Sequence, residues 1–226
     1  MARLYLFAEG QTEQTFADTV LKPHLARHGV YMHGPILIAN AHKKGKIHRE
    51  GGRNFDAMQK DIARSLKQDS AHDVFFTSMI DLYALPKRFP GTEKAARYDN
   101  DPYRRVEVLE EAWAKKAGDE RFIPYIQLHE YEAYLFADIS KLSFFYQNTA
   151  ALEKLQRIVD DVNGSPELID DGQDTAPSKQ ITKLLPEYAS EKVIVGPQAA
   201  ERIGLSKIRS RCPHFAKWLG QLENLG

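Results

Sequence analysis

The sequence predicts an α/β fold with a mostly parallel central sheet flanked by helices, on three observations. Strand-like runs at residues 3–8, 34–40, 73–82 and 122–128 alternate with helical patterns through the first 137 residues. The run at 73–82, DVFFTSMIDL, is apolar almost without interruption, as in a strand covered on both faces. After residue 140 only helical segments follow, at 149–162, 178–185 and 215–225. A core over about 1–137 with a helical C-terminal elaboration over about 138–226, forming one domain, is therefore expected.

Each element has a local reason. The first strand ends at Glu9-Gly10, and Thr12 opens a helix whose apolar side holds Phe16, Val20 and Leu21. Glu13 lies in its first turn, where a carboxylate suits the helix dipole. The second strand, at 34–40, runs into a glycine-rich basic stretch at 42–53. Phe55, Met58, Ile62 and Leu66 then recur at helical spacing over 55–68. Pro86, Pro90 and Gly91 break the chain, so 92–102 reads as a long exposed loop. Val106, Leu109 and Trp113 mark a helix at 103–116, and a helix carrying Tyr134, Leu135 and Phe136 follows the strand at 122–128. Turns are expected at Gly164, Pro177, Pro197 and Pro213.

Composition narrows the function classes. With 42% hydrophobic and 27% charged residues, the 226-residue chain lies in the range of folded domains. Lys+Arg and Asp+Glu number 31 each, so only local clustering can argue for nucleic acid. One cysteine, Cys212, excludes an intrachain disulfide and a cysteine-pair zinc site, and is expected to be buried. No apolar run reaches the ~18 residues of a membrane-spanning helix, and residues 1–8 are too short for a signal peptide. A soluble, cytoplasmic protein without membrane contact is expected.

Parallel α/β sheets present their functional groups at the carboxyl ends of the strands. Glu9 follows the first strand, Asp81 ends the third, and Glu130 and Glu132 follow the fourth, so the carboxylates converge if those strands are neighbours. Like charges held together are costly unless a cation lies between them, and hard oxygen ligands suit Mg2+ or Mn2+. Plainer roles stand beside this one: Glu13 and Glu130 each fit a helix start, and Asp81 fits an Asx turn before Pro86. His129 and Glu132 have the spacing of a metal-ligating pair, but HEYE is not HExxH, since Ala133 stands four residues after His129. EGQTE lacks a Walker lysine and no GxGxxG occurs, so ATP hydrolysis by this chain alone is not expected. Lys43, Lys44, Lys46, Arg49 and Arg53 either track a nucleic-acid backbone or form a solvated loop. Lys179, in Pro177-Ser178-Lys179, either neutralises a phosphate or faces solvent.

Taken in order, YLFAEGQTE, SMIDLYALP, IQLHEYEAYLF, APSKQITKLL and IRSRCPHFAKWL resemble a bacterial family of the Toprim-like superfamily, over nearly the whole chain. Its relatives include the nuclease domains of overcoming-lysogenization-defect (OLD) proteins, and its members often accompany ABC-type ATPases in phage-defence loci. The resemblance implies a Toprim-like fold in which Glu9 and Glu13 match the two acids of EGxxE and Asp81 matches the first acid of DxD. Tyr83 stands where the second DxD acid is expected, so Glu130 or Glu132 is implied to replace it. The implied activity is a Mg2+- or Mn2+-dependent nuclease acting on DNA or RNA with an ABC-type ATPase partner. In it Glu9 and Asp81 are metal ligands, Glu13 is a ligand or general base, Glu130 and Glu132 complete the second metal position, and Lys179 stabilises transition-state charge. Two other readings stay open: a non-catalytic binding or sensing subunit of an ATPase complex, favoured by Tyr83, and a metal-dependent nucleotide phosphohydrolase. Assembly as a homodimer is also open.

Overall fold

In the computed structural model, which describes residues 1–38, 55–86, 88–169, 172 and 174–226, six strand segments run in four lanes of one sheet. β1 (Ala2–Ala8) has β2 (Val30–Met32) and β3 (Ile36–Leu37) in the lane on one side and β4 (Val74–Asp81) on the other. β5 (Phe122–Ile123) and β6 (Ile126–Gln127) share the lane beyond β4, and every pairing is parallel. The predicted mostly parallel sheet flanked by helices is the observed one.

Alternation along the central strands sorts side chains to two covered faces. Phe7, Phe76 and Ile80 pack with Phe55, Met58 and Ile62 of α3 (Phe55–Gln68) and Val106 and Trp113 of α5 (Pro102–Ala117). Asp101 caps α5 by accepting the Arg104 N–H at 3.0 Å. Leu4, Leu6 and Met79 face the other way, toward α1 (Gln11–Phe16), α2 (Lys22–Ala26) and the C-terminal helices. Between α1 and α2 the chain makes one wider π turn over Ala17–Leu21, just before Pro23, whose missing N–H interrupts the regular ladder.

Two predicted strands are shorter than expected. The run at 122–128 is split at Pro124, which cannot donate to the ladder, and Ser78 bridges the gap. Its Oγ accepts the Tyr125 N–H at 2.9 Å and donates to the Tyr125 carbonyl at 3.1 Å. The run at 34–40 keeps Ile36–Leu37 as strand, with residues 39 and 40 outside the described part, and Val30–Met32 was not anticipated.

The expected loop at 92–102 is largely helical instead. α4 (Thr92–Ala95) leads into a 3-10 turn over Ala96–Tyr98, and Ala95 is buried. Gly91 causes this: it adopts φ 83°, and a Cβ there would stand 2.7 Å from that of Ala112, so the segment is drawn tightly onto α5.

The C-terminal part comprises α6 (Thr149–Asp161), α7 (Pro177–Leu184), α8 (Tyr188–Ile203), α9 (Leu205–Arg211) and α10 (Pro213–Glu223), with no strand after residue 140 among the described residues. Pro177 and Pro213 open helices, where a missing N–H costs nothing. Pro197 does not turn the chain but sits inside α8, and neither α8 nor α9 was anticipated. Its neighbour Gly196 passes so close to α1 that a Cβ would stand 3.2 Å from the Tyr188 hydroxyl and 3.3 Å from Thr12 and Tyr131. The last helix is part of the core: the Trp218 indole N–H donates to Thr77 Oγ1 on β4 at 2.9 Å, fully buried. Cys212 is buried as expected. Among the described residues, no helix is long and apolar enough to cross a membrane.

Glu167, fully buried, holds the start of α10 from a distance by accepting the His214 and Phe215 N–H groups at 3.0 Å each. Glu167→Ala would strand both donors and is expected to cost about 2 to 3 kcal/mol, seen as a lower urea midpoint at unchanged slope. Glu167→Gln, which keeps an acceptor oxygen, is expected to lose less.

Candidate metal centre

Because β1, β4 and β6 are adjacent and parallel, their carboxyl ends lie side by side, with Ala8 opposite Met79 and Asp81 opposite Gln127. Glu9 leaves β1 there and donates its N–H to the Met79 carbonyl at 3.0 Å. Its carboxylate reaches across and accepts the Asp81 N–H at 2.6 Å, so the first two acids are fixed to each other by the sheet itself. Glu13, one turn into α1, is buried and folds back to accept the Gly10 N–H at 2.9 Å.

The HEYE segment arrives from β6. His129 adopts φ 64°, an uncommon left-handed conformation for a residue with a side chain, and its carbonyl accepts the Tyr83 N–H at 3.0 Å. The sharp turn this makes sends residues Tyr131–Ala137 into a wholly buried 3-10 helix, not an α-helix, and brings Glu130 and Glu132 inward. Both Glu130 oxygens are held by Ser178, one by its backbone N–H in the first turn of α7 and one by its Oγ at 3.0 Å. Glu132 accepts the Tyr188 hydroxyl at 3.2 Å. Of the Pro177-Ser178-Lys179 turn, the serine meets the acids, while Lys179 is exposed.

Electrostatics join the five carboxylates into one set. Burial, and then the charge of Glu9, push the Glu13 carboxyl up to about 7. Burial and then Glu130 do the same to Glu132, again to about 7. Asp81 is held well above the usual carboxylate range by burial and by the charges of Glu9, Glu13, Glu132 and Glu130. Lys192, exposed on α8, is the cation that opposes the shift at both Glu13 and Glu132.

Two buried polar atoms in this set have no hydrogen-bond partner: Asp81 Oδ1 and the Tyr131 hydroxyl, which feels the charges of Glu13 and Glu132. An acceptor sealed among like charges fits a cation, and the all-oxygen donor set fits Mg2+ or Mn2+. The spacing qualifies that fit. Among the described residues, the three-residue group whose ligand atoms all lie within 4.8 Å is His24, His28 and Glu223, so the acids form a wider ring. Mg2+, which keeps several waters and binds through one or two carboxylates, suits such a ring better than a fully dehydrated ion.

The structure thus gathers Glu9, Glu13, Asp81, Glu130 and Glu132 and leaves Lys179 exposed in the first turn of α7. The basic residues Lys43, Lys44, Lys46, Arg49 and Arg53 lie outside the described residues. Tyr83 is 53% exposed, so its ring does not enter the buried acid set. Sequence reasoning missed Ser178, Tyr131, Tyr188 and Lys192. Ser178 and Tyr131 stood inside segments already singled out, whereas Tyr188 and Lys192 belong to the helix that Gly196-Pro197 concealed. Ser178→Ala is expected to cost about 1 to 2 kcal/mol and to loosen Glu130, with the loss vanishing in a Glu130→Ala background, which removes the acceptor, if the two residues act as a pair.

A search of the curated proteins finds no match. Among solved structures, the C-terminal region of the Burkholderia pseudomallei OLD protein aligns over 100% of both chains at 17% identity, with a TM-score of 0.47. The family described as "Domain of unknown function (DUF4276)" matches residues 8–223, nearly the whole chain and every acid of the site, and the protein belongs to that family.

Proposed function

We propose that the acid ring binds Mg2+ or Mn2+ and hydrolyses phosphodiester bonds of DNA or RNA, as a Toprim-like nuclease that works with an ABC-type ATPase in phage defence. The observation that carries this reading is Asp81 Oδ1, a buried acceptor without a partner among four further carboxylates delivered by three neighbouring strand ends. Asp81, Glu9 and Glu132 would hold the metal, and Glu130 would keep the ring in shape through Ser178. A bound divalent ion supplies an acidified water and polarises a phosphoryl oxygen. Glu13, buried beside Glu9 and not needed to hold the metal, would serve as the general base. Lys192, which feels the acids, and the exposed Lys179 would meet phosphates, and the basic residues at 42–53 would add contacts to a nucleic-acid backbone.

One observation favours a second reading. Both oxygens of Glu130 are engaged by Ser178 and Tyr83 faces solvent, so the second metal position implied by relatives lacks an evident donor. A non-catalytic docking subunit would tolerate this. The deciding experiment incubates the purified protein with Mg2+ or Mn2+ and a panel of DNA, RNA and nucleoside triphosphates, with and without an ABC-type ATPase encoded nearby. Cleavage of a polynucleotide supports the nuclease. Turnover of nucleotides alone supports a phosphohydrolase, and inertness together with tight ATPase binding supports the docking subunit.

A further inference from the structure

We infer that His24, His28 and Glu223 form a second metal site, of zinc type, that fastens the last helix to the opposite end of the sheet. His24 lies on α2 and His28 in the turn just past its end, with the ring centroids 4.9 Å apart. Glu223, the last residue of α10, meets them: its Oε1 is 2.7 Å from His24 Nε2 and 3.9 Å from His28 Nε2. One ligand atom from each residue falls within 4.8 Å of the others, tighter than the acid ring achieves.

The donor set selects the ion. Two imidazoles and one carboxylate suit Zn2+ or Co2+, whereas the all-oxygen ring selects Mg2+ or Mn2+. The two sites lie at opposite ends of β1: the acids follow Ala8, while Gly29, next to His28, accepts the N–H of Ala2. Arg209 donates to the same Glu223 Oε1 at 2.6 Å and so holds the carboxylate in place, as an outer partner does for a metal-binding acid. The cluster is reachable, since the His28 side chain is 42% exposed and His24 lines an open groove with Ser206, Arg209 and Ser210. Three protein ligands with one open side is the coordination a solvent-accessible Zn2+ site requires. A bound metal would take the place of the His24–Glu223 hydrogen bond and add His28, tying α10 to α2.

The full chain titrated with Co2+ tests this, because low-coordinate Co2+ bound to imidazole has intense visible bands. Saturable bands at one equivalent are expected, displaced by Zn2+ and unchanged by Asp81→Asn, which separates this site from the acid ring. His28→Ala retains the His24–Glu223 pair and the fold, and is expected to weaken Co2+ by more than roughly tenfold. Zn2+ is expected to raise the melting temperature of the wild type and not that of the His24→Ala/His28→Ala variant. Absence of visible bands, or bands of equal intensity and affinity in His28→Ala, would overturn the site and leave an ordinary ion pair.

Discussion

Asp81→Asn is expected to abolish metal-supported cleavage, with turnover falling about a thousandfold or more, while the folded protein gains stability near neutral pH. The two effects share one cause. Asp81 ends β4 with an unpartnered buried oxygen and feels the charges of four neighbouring acids, so its ionised form is costly unless a cation offsets it. An amide of the same shape removes the repulsion and the ligand together. Glu9→Gln is expected to behave alike in turnover while keeping an oxygen for the Asp81 N–H now held at 2.6 Å. Single-turnover rates and thermal melts on the same samples check both signs, and a variant that cleaves at the wild-type rate would remove Asp81 from the site. Raised stability also guards against a trivial loss of activity through unfolding.

Without metal, the wild type is expected to lose stability as pH rises from about 4.5 to about 7, opposite to the usual behaviour of paired carboxylates. Glu13 and Glu132 are both pushed from 4.5 to about 7 in the fold, so in that window the native state binds more protons than the unfolded chain. Stability then falls with rising pH, the share of these two acids is complete above about 7, and Asp81 adds to the fall in the same direction. At 1.36 kcal/mol per pKa unit, each group accounts for on the order of 3 kcal/mol, and the set titrates jointly. On the proposed function, Mg2+ or Mn2+ would bind the ionised ring and is expected to restore the loss. Urea midpoints across this range, in chelator and in metal, measure the effect. A Glu13→Gln/Glu132→Gln protein should show a much flatter profile, and profiles parallel to the wild type would mean that the two acids are solvated rather than confined.

Much of the fold was legible because its signals are local. The apolar run at 73–82 became β4, the helical spacing of Phe55, Met58, Ile62 and Leu66 became α3, and Val106, Leu109 and Trp113 marked the buried side of α5. The misreadings came from prolines and glycines whose meaning depends on distant partners. Pro197 lies in a helix because Gly196 lets α8 press against Thr12 and Tyr131, and Pro124 interrupts a strand without ending it because Ser78 supplies the missing hydrogen bonds. Residues 92–98 coil onto α5 because Gly91 permits a contact that nothing in their own pattern announces.

The sequence by itself determined that Glu9, Asp81, Glu130 and Glu132 would stand at the carboxyl ends of strands, since apolar runs and the turn residues after them set where each strand stops. Only the tertiary structure decided that they meet, because adjacency of β1, β4 and β6 depends on lane order, which no local pattern encodes. It also divided their roles: Ser178, 48 residues away from Glu130, binds both its oxygens, while Asp81 keeps one bare. The pairing of His24 and His28 with Glu223, 199 residues from His24, was beyond sequence reading for the same reason. A side chain's chemistry is written in its own residue, but its partners, its burial and hence its charge state are set by the packing of elements far apart in the chain.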